Sequence, residues 1–136
     1  MSTSSIATLF LIFNHKLTAS QEKDAKASLN INYIVELPEK LKSLWSHIPP
    51  ELSEVEEYIE PIKKWLSTSA IKNDYVLIQG DFGATYLMVN FAFEIGLIPI
   101  YATTQRQAFE KTEKDGSVKV TRQFKHITFR KYEKSK

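Results

Sequence analysis

The sequence contains no cysteine among its 136 residues. This absence excludes a disulfide framework, a thiolate zinc site, an iron–sulfur cluster and a cysteine nucleophile. The chain has three histidines, so we expect no histidine-rich metal cage, no metal and no cofactor. A chain of this length buries enough apolar surface to fold without disulfides or a bound metal ion. We expect a single domain of residues 1–136.

Long hydrophobic runs are also missing. The longest one near the N-terminus, Ile6 to Phe13, is far too short to span a bilayer. No basic segment precedes it and no small-residue cleavage site follows it, so we expect no signal peptide, no membrane partner and a cytoplasmic location. The composition, with 43% hydrophobic and 25% charged residues, is typical of a globular protein.

Arginine is absent from the first 104 residues. That part has 8 Lys against 12 acidic residues and a net charge of −4, whereas residues 105–136 have 10 basic against 4 acidic residues and a net charge of +6. The asymmetry indicates an anionic partner for the C-terminal segment. The alternative is a solvated hairpin whose edge lysines protect against aggregation.

Apolar runs mark the strands. We expect buried strands at Ile6–Phe13, Tyr75–Gln79 and Ile98–Thr103, and a shorter strand at Asn32–Leu37. The aromatic residues fall on apolar stripes, so we assign them to the core.

Helix signals separate these strands. Thr18 and Gln21 form a capping box that opens a helix running to about Leu29. Three further helices are predicted: one from Pro38 to about Ile48, one opened by a capping box at Ser53 and Glu56 and kinked or restarted at Pro61, and one from about Ala84 to Ile95.

A hairpin follows the alternating elements. Asp115-Gly116 is a strong hairpin signal, and we expect a hairpin extension at about residues 107–133. The pattern predicts an α/β fold with a mainly parallel sheet flanked by helices and a C-terminal antiparallel β-hairpin. In open parallel sheets, ligands bind beyond the carboxyl ends of the strands. This rule selects the loops 14–18, 79–84 and 103–106.

The second of these loops, which follows the third strand, joins that strand to a helix through two glycines, Gly80 and Gly83. Glycine allows a ligand to approach the backbone, and the helix N-terminus favours an anion such as phosphate. The alternative is that Asp81 caps the helix and the glycines make the turn. Because Asp81 repels a phosphate, we expect it to contact a ribose hydroxyl or a base edge.

The other two loops also carry polar groups. After the first strand, His15 can exchange a proton near neutral pH and Lys16 can offset phosphate charge, although a lone histidine is often structural or simply exposed. After the fourth strand, Arg106 can hold a phosphate with two hydrogen bonds, although an ordinary hydroxyl-rich strand exit fits as well. We expect His47 to pack against its neighbours, and His126 to support an interface or face solvent.

Several segments together resemble a family of small standalone CRISPR-associated proteins found beside type III CRISPR systems. They cover most of the chain and consist of Leu9–Thr18, Gln21 with Asp24-Ala25, Trp45 with Ile48-Pro49-Pro50, Asp74–Ala84 and Ile98–Thr104. The resemblance implies a CARF-like, Rossmann-type fold. It also implies a ring nuclease that binds and cleaves cyclic oligoadenylate, a small cyclic RNA, with cyclic tetra-adenylate as the expected ring.

The resemblance further implies a homodimer that holds the ring across its two-fold axis, and a role in switching off type III CRISPR signalling. The family's ligand loops match Asn14–Lys16 and Gln79–Thr85. This chain departs from the family at Asp81-Phe82, where CARF sensors commonly have small hydroxyl-bearing residues. We expect no effector nuclease domain after residue 136, so any activity is expected within the ligand-binding domain.

A ring of RNA can be cut without a metal ion if a 2′-hydroxyl attacks the adjoining phosphorus, which gives linear products with 2′,3′-cyclic phosphate ends. We predict His15 as acid or base and Lys16 and Arg106 as charge stabilisers. The predicted ligand-binding residues are Asn14, Thr18, Gln79, Gly80, Asp81, Phe82, Gly83, Ala84, Thr103 and Thr104.

Two other functions remain open. One is a non-catalytic module that senses or sequesters the cyclic nucleotide, and the other is a small RNA-binding protein that uses the basic hairpin. In the favoured interpretation the partners are the cyclic ligand and a second copy of the chain, with no long nucleic acid.

Overall fold

The computed structural model describes residues 6–135. Its elements in chain order are β1 (Ala7–Ile12), α1 (Ala19–Ser28), β2 (Ile31–Glu36), α2 (Glu39–Ser46), α3 (Glu60–Ser69), β3 (Tyr75–Ile78), α4 (Phe82–Glu94), β4 (Ile98–Thr112) and β5 (Val118–Lys131). Within residues 6–135, no helix is both long enough and apolar enough to cross a membrane.

The strands form one sheet in the order β2-β1-β3-β4-β5. The first three pairings are parallel, and β4 pairs with β5 in antiparallel orientation. The predicted α/β fold, with a mainly parallel sheet flanked by helices and a C-terminal antiparallel pair, is therefore confirmed.

β1 is buried on both faces of the sheet, as its apolar run predicts. Phe10 and Ile12 belong to a cluster with buried side chains of α2, α3 and α4. Leu9 and Leu11 belong to a second cluster, which includes Ala25 of α1. Because successive side chains of a strand point to opposite faces, β1 contributes to both helix layers and stabilises the centre of the fold.

A buried carboxylate joins the amino ends of three strands. Asp74, which is 5% exposed, precedes β3 and accepts hydrogen bonds from the backbone N–H groups of Thr8 (3.1 Å) and Ile71 (2.9 Å). Its carbonyl oxygen accepts a hydrogen bond from the N–H of Ile98 (2.9 Å). Both carboxylate oxygens are therefore satisfied, as a buried acid requires, and β1, β3 and β4 start at one level.

Trp45 of α2 lies beneath the carboxyl end of β3. The indole is 2% exposed, and its Nε1–H donates a hydrogen bond to the carbonyl of Gln79 (3.0 Å). The ring lies so close to Gly80 that a Cβ atom there would be 2.7 Å from Nε1. Only glycine fits at this position without a shift of the indole or the backbone.

The helix predicted from Ser53 and Glu56 is wrong at its start. Residues 51–55 form an irregular segment and residues 56–59 form a turn, and α3 begins at Glu60 with Pro61 in its first turn. Proline lacks the N–H that a continuing helix needs, but its fixed φ suits a helix start. Pro61 therefore lies at the start of a helix, and because no helix precedes it, it neither kinks nor restarts one.

The predicted boundary between the fourth strand and the hairpin is also wrong. β4 runs without interruption from Ile98 to Thr112 and pairs with β5 along this length, with one register shift between Thr103 and Thr104. The polar residues after Thr103 do not end β4, because the strand is held by backbone hydrogen bonds to β5. These hydrogen bonds continue where both strands are exposed to solvent.

The assignment of all aromatic residues to the core is wrong. Phe10 and Trp45 are buried, but Phe82 is 95% exposed and Phe124 is 71% exposed. The other strongly exposed aromatic side chains are Tyr33, Tyr86 and Phe109. Helical or strand spacing shows which residues share a face, but it does not show whether another element covers that face. The exposure of these aromatic residues could therefore be read only from the tertiary structure.

We predict that Gly80→Ala destabilises the protein by about 1–3 kcal/mol, because the added methyl group overpacks the indole of Trp45. Gly83→Ala is the matched control, since its Cβ meets the nearest atom, Asp81 Oδ2, at an ordinary 3.6 Å. In α4 it gains helix propensity of up to about 1 kcal/mol. Urea unfolding followed by tryptophan fluorescence measures both changes, and equal stability of the two variants would contradict this account.

Candidate functional site

The loops after β1 and β3 lie side by side. Ile12 pairs with Ile78, and the N–H of Gln79 donates to the carbonyl of Ile12 (3.1 Å). The sheet order reverses here, because β2 lies on one side of β1 and β3 and β4 lie on the other. Such a switch point leaves a crevice beyond the carboxyl ends of the strands, where ligands bind in open α/β sheets. Asn14 and Gly80 therefore border the candidate site.

Gln79 and Asp81 have structural contacts in this loop. The side-chain oxygen of Gln79 accepts a hydrogen bond from the N–H of Ala102 (2.7 Å) and so connects β3 to β4. The Asp81 carboxylate accepts a hydrogen bond from the N–H of Ala84 (3.0 Å) and caps α4, which begins at Phe82 rather than Ala84. The predicted capping role of Asp81 is confirmed, and its carboxylate satisfies one of the backbone N–H groups at this helix N-terminus.

A groove lined by aromatic rings opens beside this loop. Its volume is about 410 Å³, and we call it the aromatic groove. Its lining residues are Gln79, Gly80, Phe82, Thr85, Tyr101 and Tyr132. The hydroxyl oxygen of Thr85 is buried and, within residues 6–135, has no hydrogen-bond partner, so the aromatic rings rather than this hydroxyl are the accessible surface of the groove.

Two tyrosines hold one another in the wall of the aromatic groove. The rings of Tyr101 and Tyr132 are 4.7 Å apart and tilted by 51°. The Tyr132 hydroxyl donates to the carbonyl of Ile78 (2.7 Å), and burial raises the pKa of this phenol. Arg130 stacks over Tyr101 at 5.6 Å and donates to its hydroxyl (3.1 Å). The rings are therefore fixed before any ligand binds.

Sequence reasoning did not identify Tyr101, Tyr132 or Arg130 as site residues. Tyr132 follows β5 and returns to the carboxyl end of β3 only through the antiparallel pairing of β5 with β4. The one available signal is the position of Tyr101 near the end of an apolar strand that leads into a predicted ligand loop.

The three residues after Phe13 have different neighbours. The side-chain oxygen of Asn14 accepts a hydrogen bond from the Ser46 hydroxyl (3.1 Å) at the end of α2. His15 is exposed and packs edge-on against Phe13, with ring centroids 5.4 Å apart. Lys16 lines a shallow groove of about 240 Å³ between α1 and β2.

A second groove, which we call the polar groove, lies between α1 and the base of the β4–β5 hairpin. Its volume is about 560 Å³, and Thr18, Thr104, Phe124 and His126 are among its lining residues. The hydroxyl of Thr18 accepts a hydrogen bond from the N–H of Gln21 (3.1 Å), so the predicted capping box is confirmed.

Thr103 and Arg106 lie elsewhere on the hairpin. Thr103 exchanges two hydrogen bonds with the backbone of Thr128, donating to its carbonyl and accepting from its N–H. The Arg106 guanidinium lies 5.7 Å from the ring centroid of Phe124 on the exposed part of the hairpin.

The structure brings some of the predicted site residues together. Gln79, Gly80 and Phe82 share the aromatic groove, and Thr18 and Thr104 share the polar groove. The three predicted catalytic residues do not share one environment: His15 packs on Phe13, Lys16 lies beside α1 and Arg106 lies on the hairpin. Within residues 6–135, no three His, Asp or Glu side chains are close enough to hold a metal ion.

His126 has the most restrained environment of the three histidines. Its side chain is 5% exposed, and its Nε2 lies 2.7 Å from the Asp24 carboxylate of α1. The hydrogen bonds from Ser28 and from His126 hold the pKa of Asp24 below its ordinary value of 3.8. This pair joins α1 to the hairpin base, so His126 supports an internal contact. His47, in contrast to its predicted packing, is exposed.

We predict that Asp24→Ala lowers the free energy of unfolding at pH 7 by about 1–3 kcal/mol, because it leaves the buried His126 ring without its partner. The lowered pKa means that the carboxylate stabilises the fold above pH 3.8 and that this contribution is lost as pH falls through the folded-state pKa. The difference in free energy of unfolding between the wild type and Asp24→Ala should therefore become smaller below pH 3.8.

Glu22→Ala is the matched control on the same helix, since Glu22 forms an exposed pair with Lys26 whose expected contribution is below about 1 kcal/mol. Chemical denaturation from pH 2.5 to 7 measures both variants. If the loss of unfolding free energy in Asp24→Ala did not vary with pH, the stabilising role of the ionised Asp24 carboxylate would be contradicted.

Comparisons with known proteins identify the chain's relatives. A family model described as the uncharacterized protein MJ1673 family matches residues 7–130. The uncharacterized protein MJ1673 of Methanocaldococcus jannaschii is 52% identical over 124 residues, which cover 91% of this chain and 95% of that protein. No solved structure matches. Neither description names a ligand, a reaction or a CRISPR system. The match extends over almost the whole chain, which therefore belongs to the MJ1673 family.

Proposed function

We propose that the protein binds a cyclic oligoadenylate at the carboxyl ends of β1, β3 and β4 and cleaves it without a metal ion. The observation that carries the proposal is the aromatic groove at the switch point of the sheet. Adenine has a flat apolar face and polar edges, and aromatic side chains bind such bases by stacking.

The contacts of the groove fit this ligand class. Phe82 presents a ring that is 95% exposed, while Tyr101 is held in place by Arg130. Arg130 adds a positive charge beside the ring of Tyr101, which suits a base linked to a phosphate.

The sheet order supports a doubly wound fold of the CARF-like, Rossmann type that the sequence resemblance implies. In such a fold the loops after β1 and β3 flank the ligand, and here they contain Asn14 and Gly80. A ring of identical nucleotides is matched by a two-fold symmetric site, so we propose a homodimer that binds one ring. The proposal places both protein and ligand in the cytoplasm, as part of type III CRISPR signalling.

Cleavage requires only groups of the RNA and of the protein. The 2′-oxygen forms a bond to the adjoining phosphorus while the bond from phosphorus to the 5′-oxygen breaks. A base takes the 2′-hydroxyl proton, and the leaving 5′-oxygen receives a proton. Holding these atoms in line lowers the barrier by up to ~7–11 kcal/mol in favourable intramolecular cases. We propose His15 for proton transfer and Lys16 and Arg106 for charge stabilisation.

A non-catalytic sensor or sequestering module is the second candidate. The separate environments of His15, Lys16 and Arg106 within one chain favour it, because acid–base catalysis needs its groups near the same phosphate. Binding by the aromatic groove is common to both candidates.

Turnover separates the two candidates. We predict that purified protein in excess converts cyclic tetra-adenylate, in EDTA, to linear products with 2′,3′-cyclic phosphate ends, as resolved by chromatography and mass spectrometry. Single-turnover cleavage by His15→Ala should be slower by about 10²-fold if His15 transfers a proton. An intact ring after long incubation would favour the sensor, and a wild-type rate for His15→Ala would refute the role of this histidine.

Binding has a separate test that does not depend on cleavage. We predict that Phe82→Ala weakens the binding of cyclic tetra-adenylate by about tenfold or more, since a stacked base is worth about 1–3 kcal/mol. Tyr33→Ala is the control, because Tyr33 is also a strongly exposed aromatic residue but lies on β2 at the far edge of the sheet. Fluorescence anisotropy with a labelled ring measures both, and equal losses would contradict the site.

A further inference from the structure

The β4–β5 hairpin extends well beyond the rest of the sheet. β3 pairs with β4 as far as Ile100, whereas β4 and β5 continue to pair out to Thr112 and Val118. We call residues 105–125 the arm, and all of them except Gln107 are exposed. A two-stranded ribbon of this kind is marginally stable alone in water, so the arm gains stability from any surface that covers it.

The strand register divides the arm into two faces. One face, which we call the Phe124 face, contains Arg106 opposite Phe124, Ala108 opposite Arg122, Glu110 opposite Val120 and Thr112 opposite Val118. Phe124, Val118 and Val120 are 71%, 57% and 51% exposed. The opposite face is mainly polar and basic, with Phe109 as its one large apolar residue.

The Phe124 face has the chemistry of a protein-binding surface. Two valines beside a phenylalanine gain from contact with an apolar protein surface, whereas a single-stranded nucleic acid is bound by aromatic platforms and a basic track. The arginines at positions 106 and 122 lie among these apolar side chains, and arginine is enriched at protein interfaces.

The remainder of the chain is complementary in charge. The arm has 6 basic and 3 acidic residues, whereas residues 1–104 have a net charge of −4. The segment between α2 and α3, residues 47–59, contains four glutamates and no lysine or arginine. All four glutamates are exposed, as is Leu52. We call this segment the acidic connection.

The acidic connection borders the candidate site. It starts directly after Ser46, which donates to Asn14, and Val55 lies 4.0 Å from the Cβ position of Gly83. The arm also leaves from the carboxyl ends of the strands and reaches roughly 25 Å beyond them. In a dimer whose carboxyl ends face each other, each arm is therefore long enough to reach the acidic connection of the other chain.

We propose that the Phe124 face of each arm docks on the acidic connection of a second copy of this chain, so that Arg106 serves the candidate site of the other copy. The docking rests on the homodimer of the proposed function, and the role of Arg106 rests on its candidate site as well.

A matched pair of substitutions tests the docking without any ligand. Phe124→Ser should raise the dissociation constant of the dimer by at least about tenfold, because it removes the largest apolar side chain of the docked face. Phe109→Ser makes the same change on the opposite face and should leave the dimer intact. Sedimentation velocity over a concentration series measures both, and equal effects of the two substitutions would overturn the proposal.

Charge reversal provides a second test. Arg106→Glu/Arg122→Glu on the arm and Glu54→Lys/Glu57→Lys on the acidic connection should each give a monomer, because like charges then meet in both contacts. An equimolar mixture should form a heterodimer, since each arm then meets a connection of opposite charge. A mixture that stays monomeric overturns the proposal. So does a wild-type chain that is monomeric and binds single-stranded RNA through the arm.

Discussion

The indole of Trp45 determines where β3 ends and where the candidate site begins. Its N–H holds the carbonyl of Gln79, and its ring leaves room only for glycine at position 80. The chain therefore turns sharply into α4 beside the end of β1, where Asn14 is held by Ser46 of the same helix, α2. Two neighbouring residues of α2, Trp45 and Ser46, thus contact the two loops of the crevice, and the aromatic groove depends on the placement of the loop after β3.

The site that results is better organised for binding than for proton transfer within one chain. Tyr101 and Tyr132 are fixed by hydrogen bonds and by mutual packing, and a rigid aromatic surface loses little entropy when a base stacks on it. The two cationic residues predicted to be catalytic lie elsewhere, Lys16 beside α1 and Arg106 on the hairpin. In the proposed dimer, a second chain supplies its arm and brings charge to the groove without a change in either fold, so that the proposed binding and dimerisation become parts of one mechanism.

Local signals in the sequence predicted the parts of the fold that local interactions determine. The apolar run of β1 and the capping box of Thr18 and Gln21 were interpreted correctly, because strand burial and helix capping involve neighbouring residues. The contact of Asp24 with His126, 102 residues apart, and the meeting of Tyr101 with Tyr132 depend on the register of β5. No short stretch of the sequence predicts which residues of β4 and β5 lie opposite each other. The exposure of Phe82 likewise depends on what packs over α4.

The stoichiometry of ring binding tests the central claim most directly. In isothermal titration calorimetry, the ligand is cyclic tetra-adenylate with 2′-fluoro groups in place of the attacking hydroxyls, so that binding is measured without cleavage. The account predicts saturation at one ring for two chains, because the ring lies between two symmetric copies of the crevice. Saturation at one ring for each chain, or no heat of binding at millimolar ligand, would contradict it.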